Sequence, residues 1–287
     1  MGNDKPFFRK ITIVGVGLIG GSIGMAIKHQ RMAQEVAGIA QKHATIVYAL
    51  NNKAIDRAYH DLRKALFNAD LVILATPVGT ITDLLQKIGP HLKRGAIVTD
   101  VGSTKSTIVE VAEKNLPSHV SFVGGHPLSG SEKQGPQFAN PDIFRNSLCI
   151  LTPTEKTNRT AVERVKLFWT HIGAQVKIVA PAEHDRILAY VSHLPHLAAY
   201  ALMGIVPAQH LEFAASGLKD TTRIAASSPN MWSDISLANA KNLVAVLDEM
   251  TKTLASYRKL IIAKDEQNLI ENFKKAKAKR DGIERVE

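Results

Sequence analysis

Lys10-Ile11-Thr12-Ile13-Val14-Gly15-Val16-Gly17-Leu18-Ile19-Gly20-Gly21-Ser22 joins a β-branched apolar run to glycines spaced Gly-x-Gly-x-x-Gly, and a helix-like segment follows as far as Ile27. Glycines at this spacing permit a tight turn, let the backbone approach a pyrophosphate, and allow a helix to pack closely on the strand. The unpaired N–H groups at the helix start complement the anion. A strand before and a helix after separate this pattern from a bare glycine turn. Gly15, Gly17 and Gly20, with Leu18 and Ile19 between them, are the expected dinucleotide-binding residues.

Outward from this stretch, Val/Ile-rich runs at 11–14, 36–40, 71–75, 96–99, 121–123 and 148–151 alternate with helical stretches. That is the βαβ rhythm of a parallel sheet with helices on its faces. In open α/β sheets ligands bind beyond the carboxyl ends of the strands. The loops beginning at Thr76-Pro77, Asp100 and Gly124-Gly125-His126-Pro127 are therefore expected to face the cofactor, which adds Thr76, Pro77 and Asp100 to its contacts. Past Pro153, one further strand candidate at 175–179 precedes helical periodicity, with a long apolar helix expected over 183–205. Leu237, Val244, Leu247, Met250, Leu254 and Leu260 form an apolar stripe that reads either as core or as a dimer seam. The expected architecture is an α/β Rossmann-type N-terminal domain at 1–153 and an all-α C-terminal dimerisation domain at 154–287, the latter starting instead near 180 if the last strand joins the sheet.

The 287 residues, 45% hydrophobic and 22% charged, suffice for one large or two ordinary domains. No apolar run approaches the roughly 20 residues that span a bilayer, and the first ten residues lack a signal-peptide core, so a cytoplasmic protein is expected. Cys149, inside an apolar run, reads as a buried thiol, and a single cysteine excludes an internal disulfide. Much of the net charge of +10 lies in Lys274, Lys275, Lys277, Lys279 and Arg280, interleaved with alanines as on a solvated helix face. No nucleic-acid-binding motif accompanies it. A small anionic ligand would use the same positive potential.

His126 is the candidate general base, because imidazole titrates nearest neutrality and can accept an alcohol proton as hydride leaves the same carbon. The plainer reading is a histidine that hydrogen-bonds its own turn. Ser103 either bridges a substrate hydroxyl to that histidine or caps a helix. Lys105 reads as a phosphate or substrate contact, or as an exposed lysine. His193 and His196 fall on one helix face, but no third ligand makes them a metal site, and Pro195 implies a kink aiming His193 at a cleft. Arg223 has the planar fork that holds a carboxylate, or pairs structurally with Asp220.

Together these segments resemble the prephenate and arogenate dehydrogenases of tyrosine biosynthesis. The resemblance rests on Gly-Val-Gly-Leu-Ile-Gly-Gly-Ser at 15–22, Ala-Thr-Pro-Val at 75–78, Thr-Asp-Val-Gly-Ser-Thr-Lys at 99–105, Gly-Gly-His-Pro-Leu-Ser-Gly-Ser-Glu at 124–132, Ser-His-Leu-Pro-His at 192–196 and Lys-Asp-Thr-Thr-Arg-Ile-Ala at 219–225. It implies that His126 takes the proton of the ring 4-hydroxyl, that Ser103 supports that contact, and that His193, Ser131 and Arg223 bind substrate, Arg223 through a carboxylate. The implied reaction passes hydride from the ring carbon bearing the hydroxyl to NAD or NADP and releases the ring carboxylate as carbon dioxide. A homodimer through the helical domain is implied as well, without metal, nucleic acid or membrane.

Two departures bear on specificity. An acid about 20 residues past the third glycine normally binds the ribose 2′-hydroxyl of NAD. Gln41, Lys42 and His43 stand there instead, suited to a 2′-phosphate, so NADP is the expected preference. The length also leaves no room for the chorismate mutase or ACT domain fused to some relatives, so a monofunctional enzyme is expected. The rival readings are a β-hydroxyacid dehydrogenase, which would use a catalytic lysine in its helical domain, and an inactive dinucleotide sensor.

Overall fold

A computed structural model describes residues 7–130, 133 and 135–283. Its elements are β1 (Phe8–Val14), α1 (Leu18–His29), β2 (Ala33–Ile39), α2 (His43–Asn51), β3 (Arg57–Ala58), α3 (Leu62–Leu66), β4 (Leu71–Leu74), α4 (Val78–Ile88), β5 (Ile97–Asp100), α5 (Ser106–Asn115), β6 (Ser121–Pro127), β7 (Leu148–Thr152), α6 (Arg159–His171) and β8 (Gln175–Ile178). There follow α7 (Pro181–Leu188), a π-helical turn (Ala189–His193), α8 (Leu194–Ile205), α9 (Ser216–Thr222), α10 (Pro229–Ala238), α11 (Ala240–Ala263) and α12 (Glu266–Ile283). The chain forms two compact units, one ending at Ala240 and one beginning at Lys241.

In the first unit the strands form one sheet of order β3-β2-β1-β4-β5-β6-β7-β8. Pairing is parallel from β3 through β6. Strand order reverses between β1 and β4, the switch point at which such sheets bind dinucleotides. Strand alternation sends Leu71 and Ile73 into one apolar core and Val72 and Leu74 into the other, so β4 is buried on both faces. The second core also takes Trp232 and Ile235 of α10, which therefore belongs to the packing of the sheet's helical layer.

Two expectations about the sheet change. It is not wholly parallel, because β7 runs antiparallel to β6 before β8 resumes parallel pairing, and β8 extends the sheet past residue 153. His126 also lies inside β6, opposite Ile150, rather than after the strand. Gly124-Gly125 looks like a turn in sequence but serves close packing: a Cβ at Gly124 would lie 2.4 Å from Thr152 Oγ1, and one at Gly125 would lie 2.9 Å from the Asp100 carbonyl.

The expected helix over 183–205 is interrupted by the π turn, which accommodates Pro195 in the first turn of α8 without breaking the helical path. In the second unit, α11 and α12 expose Val244, Leu254, Ile261, Ile262, Ile270 and Phe273. Among the described residues no helix is long and apolar enough to cross a membrane.

Candidate active site

The glycine turn is built by close contacts. Gly15 has φ +98°, and a Cβ there would meet the Ala75 carbonyl oxygen at 2.4 Å. At Gly20 a Cβ would fall 1.9 Å from the Gly15 carbonyl oxygen, so helix and strand meet there through bare backbone. At Gly17 none of the described residues would lie within 4 Å of a Cβ, which leaves an open ledge at the start of α1. Gly17 gives α1 no side-chain cap, and Lys42 gives none to α2. Helices α4 and α5, by contrast, are already engaged: Asp234 accepts from Gly79 N at 2.9 Å, and Asp185 accepts from Lys105 N at 2.7 Å and Ser106 N at 2.8 Å. The open ledge and the two uncapped helix starts fit a dinucleotide. Leu18 and Ile19 are half-buried in the first turn of α1, Thr76 borders the Gly15 turn, Pro77 is exposed at the start of α4, and Gln41, Lys42 and His43 are exposed beyond β2.

Asp100 does not face this crevice. It is fully buried, bonded to the Lys105 ammonium and accepting from Gly102 N at 2.8 Å and Gly125 N at 3.1 Å. Its expected cofactor contact is corrected accordingly, since every side-chain oxygen is spent on holding β5, β6 and the start of α5 together. Lys105 is likewise fully buried, neither surface residue nor phosphate ligand, and its Nζ also donates to the Gly125 carbonyl at 2.8 Å. Nor does Ser103 cap α5, whose first amides are held by Asp185.

At the carboxyl end of β6, His126 is 8% exposed and faces α7. Its Nδ1 lies 2.9 Å from His184 Nε2, and His184 Nδ1 lies 2.8 Å from Asp185 Oδ1. The carboxylate accepts from His184 Nδ1–H, so His184 Nε2 has a lone pair for the proton on His126 Nδ1. His126 Nε2 is thereby left as a proton acceptor. Burial holds the His126 pKa well below its ordinary value, reinforced by His184, Lys105 and His193, so the ring is neutral.

His193 is fully buried and has its tautomer set from the other side. Asn239 Nδ2 stands 3.0 Å from His193 Nδ1 and 2.8 Å from the Asp185 carbonyl, an amide donating to both. The His193 proton is then on Nε2, a buried N–H facing the Ser103 backbone. Burial brings its pKa down to about 4. Trp232 meets His193 edge-on at 6.0 Å and stacks on His196 at 3.5 Å. Burial also lowers the pKa of His196, and the exposed Arg223 guanidinium lowers it further.

The fold thus gathers His126, Ser103 and His193 in one place, with Arg223 beyond His196, while Ser131 lies outside the described residues. His184, Asp185, Asn239 and Trp232 are site residues missed in the sequence. The signal available for two of them was Glu183-His184-Asp185 in the first turn of a helix opened by Pro181.

A Rossmann sheet with an open glycine ledge at its switch point, and a desolvated acceptor histidine at the carboxyl end of β6 in the same sheet, is the arrangement of a dinucleotide-dependent dehydrogenase. A model of the prephenate dehydrogenase nucleotide-binding domain matches residues 23–178, and one of the prephenate dehydrogenase dimerization domain matches 180–275. The chain belongs to the prephenate dehydrogenase family. Prephenate dehydrogenase of Bacillus subtilis is 38% identical over 95% of this chain and 76% of its own length. Cyclohexadienyl dehydrogenase of Zymomonas mobilis is 34% identical over 95% of both. The crystal structure of Aquifex aeolicus prephenate dehydrogenase in complex with hydroxyphenyl propionate and NAD+ superposes with a TM-score of 0.89 at 33% identity, covering 96% of this chain and 98% of that one.

Proposed function

We propose that this protein oxidatively decarboxylates prephenate or arogenate, passing the hydride to a nicotinamide dinucleotide, with NADP preferred. The observation that carries the catalytic reading is the buried, neutral His126, whose Nδ1 proton is committed to His184 and whose Nε2 is free to accept. A dinucleotide held on the Gly17 ledge supplies the hydride acceptor.

The protein's own groups manage the proton and the carboxylates. His126 Nε2 takes the ring hydroxyl proton as hydride leaves the same carbon. When the ring carboxylate departs as carbon dioxide and the ring aromatises, the proton returns to what is now a phenolic oxygen. No proton is gained or lost overall, so His126 stores one transiently. The His193 Nε2–H is a donor for a substrate oxygen, the Ser103 backbone lies beside His193, and Arg223 takes a substrate carboxylate. Desolvation around His126 and His193 strengthens the contacts those two histidines make.

Support for NADP comes from the exposed Gln41, Lys42 and His43 where NAD-specific folds place an acid, at a helix start without a side-chain cap. The dimerization-domain match and the exposed apolar side chains of α11 and α12 support a homodimer. Reduced-cofactor absorbance, with prephenate and arogenate each offered against NAD and NADP, tests the reading. Turnover with carbon dioxide release, faster with NADP, is expected. Folded protein inert in all four mixtures would overturn the activity, and a strong NAD preference would overturn the cofactor choice.

A further inference from the structure

The relay His126–His184–Asp185 ends in a charge that the reaction, as assigned so far, does not use. Among the described residues, the charged and titratable groups around His126 are Asp100 from β5, Lys105 at the start of α5, Cys149 from β7, His184 and Asp185 from α7, and His193 from the π turn. Burial pushes the Cys149 thiol beyond its ordinary range and keeps it neutral, and both partner histidines are neutral as well. Asp100 and Lys105 form a buried ion pair and cancel. Among the described residues one charge remains, the Asp185 carboxylate. Burial alone would raise its pKa, but hydrogen bonds from His184, from Ser106 and from the Lys105 amide outweigh burial and keep it ionised. The described groups packed around the base therefore have a net negative charge at rest, one proton short of neutrality.

We infer that His184 and Asp185 are positioning residues for the base: they fix its acceptor tautomer and balance the positive charge His126 gains when it takes the substrate proton. The inference rests on His126 being that base. As the substrate O–H bond breaks, its electron pair stays on oxygen and an N–H bond forms at His126 Nε2. The existing Nδ1 proton then shifts along its hydrogen bond toward His184 Nε2, and the imidazolium charge comes to lie against Asp185. When the phenol forms, the same shift runs backwards and Nε2 releases the proton. The ordering of the three groups matters because an imidazolium in a buried pocket without a counter-charge is costly.

The start of α5 gives Asp185 a second, purely structural task, since its oxygens also hold the Lys105 and Ser106 amides. Two substitutions separate the tasks. His184→Gln leaves the α5 amides untouched and offers an amide oxygen to His126 Nδ1–H, preserving orientation while cutting the path to the carboxylate. Asp185→Asn removes the charge and disturbs the helix start.

The test is the pH dependence of kcat for the full chain and these two variants, with dinucleotide affinity as the check on folding and His126→Asn assayed alongside. Both relay variants are expected to lose about 10- to 1,000-fold in kcat with KM within about threefold, and to move the acidic limb of the kcat profile down by about one pH unit or more, because the base is less basic without its counter-charge. The double variant should show no further shift. An acidic limb unmoved in His184→Gln, with Asp185→Asn losing only thermal stability, would overturn the inference and reduce Asp185 to a helix cap. If His126→Asn keeps its turnover, the base itself is misassigned. If His126→Asn is inactive while the His184→Gln profile is unchanged, only the relay falls.

Discussion

Asn239, at the end of α10, places its amide 3.0 Å from His193 Nδ1 and so dictates which nitrogen of that imidazole holds the proton. The second amide proton goes to the Asp185 carbonyl, so one side chain orients the donor histidine and ties it to the relay helix. Asn239→Leu removes both bonds and frees the His193 tautomer. A lost bond to a buried acceptor is worth about 1–3 kcal/mol. The expected result is a rise of about tenfold or more in KM for the cyclohexadienyl substrate with dinucleotide KM unchanged, read by steady-state kinetics. Equal changes in both constants would mean that the fold, not the tautomer, had suffered.

Acid should destabilise the protein through its buried histidines. His193 has its pKa lowered from 6.5 to about 4 by burial, and His126, His184 and His196 shift in the same direction. A histidine that binds its proton more weakly when folded favours unfolding once protons are abundant. Its contribution is complete above pH 6.5 and is lost as pH falls toward 4. For His193 the shift corresponds to roughly 3 kcal/mol. Urea unfolding between pH 7 and 4 should therefore show a steep loss of stability, and His193→Gln should flatten that slope whatever it does to the absolute value.

Removing one half of the Asp100–Lys105 pair should be more damaging than removing both. Lys105→Met strands a fully buried carboxylate, a change of about 3–5 kcal/mol, whereas pairing it with Asp100→Asn leaves no orphan charge. Chemical denaturation of the two single variants and the double variant measures the coupling. Additive effects would show that the two charges do not depend on each other.

The glycines divide into structural and ligand-facing positions. Gly20→Ala forces a Cβ to within 1.9 Å of the Gly15 carbonyl oxygen and should lower the melting temperature clearly. Gly17→Ala meets nothing within 4 Å and has φ −76°, so its unliganded stability should stay within about 0.5 kcal/mol of the parent. Its dinucleotide affinity should nonetheless fall, because the methyl occupies the ledge. Calorimetry and dinucleotide titration on both variants would check the division.

What could be read in the sequence was what local pattern encodes. The Gly15–Gly20 spacing, the apolar runs and the His126 segment each announce themselves within a dozen residues, and they located the Rossmann sheet and the candidate base. The rest depends on contacts made across long stretches of chain. Asp100 and Lys105 read as loop residues facing a ligand, because their burial follows from β6 passing over them. His184 and Asp185 lie 58 and 59 residues from His126, and Asn239 lies 46 from His193, so no local periodicity joins them. The Gly124-Gly125 pair misled for a physical reason: glycine marks close packing as readily as it marks a turn.

The most direct test of the central claim is His126→Asn, assayed with the preferred dinucleotide and the preferred cyclohexadienyl substrate. Asparagine keeps the size and hydrogen bonding of the site but cannot accept the proton. A loss of at least about a thousandfold in kcat, with dinucleotide binding intact and substrate KM nearly unchanged, is the predicted result. Turnover within about tenfold of the parent would contradict it and remove His126 from the role of base.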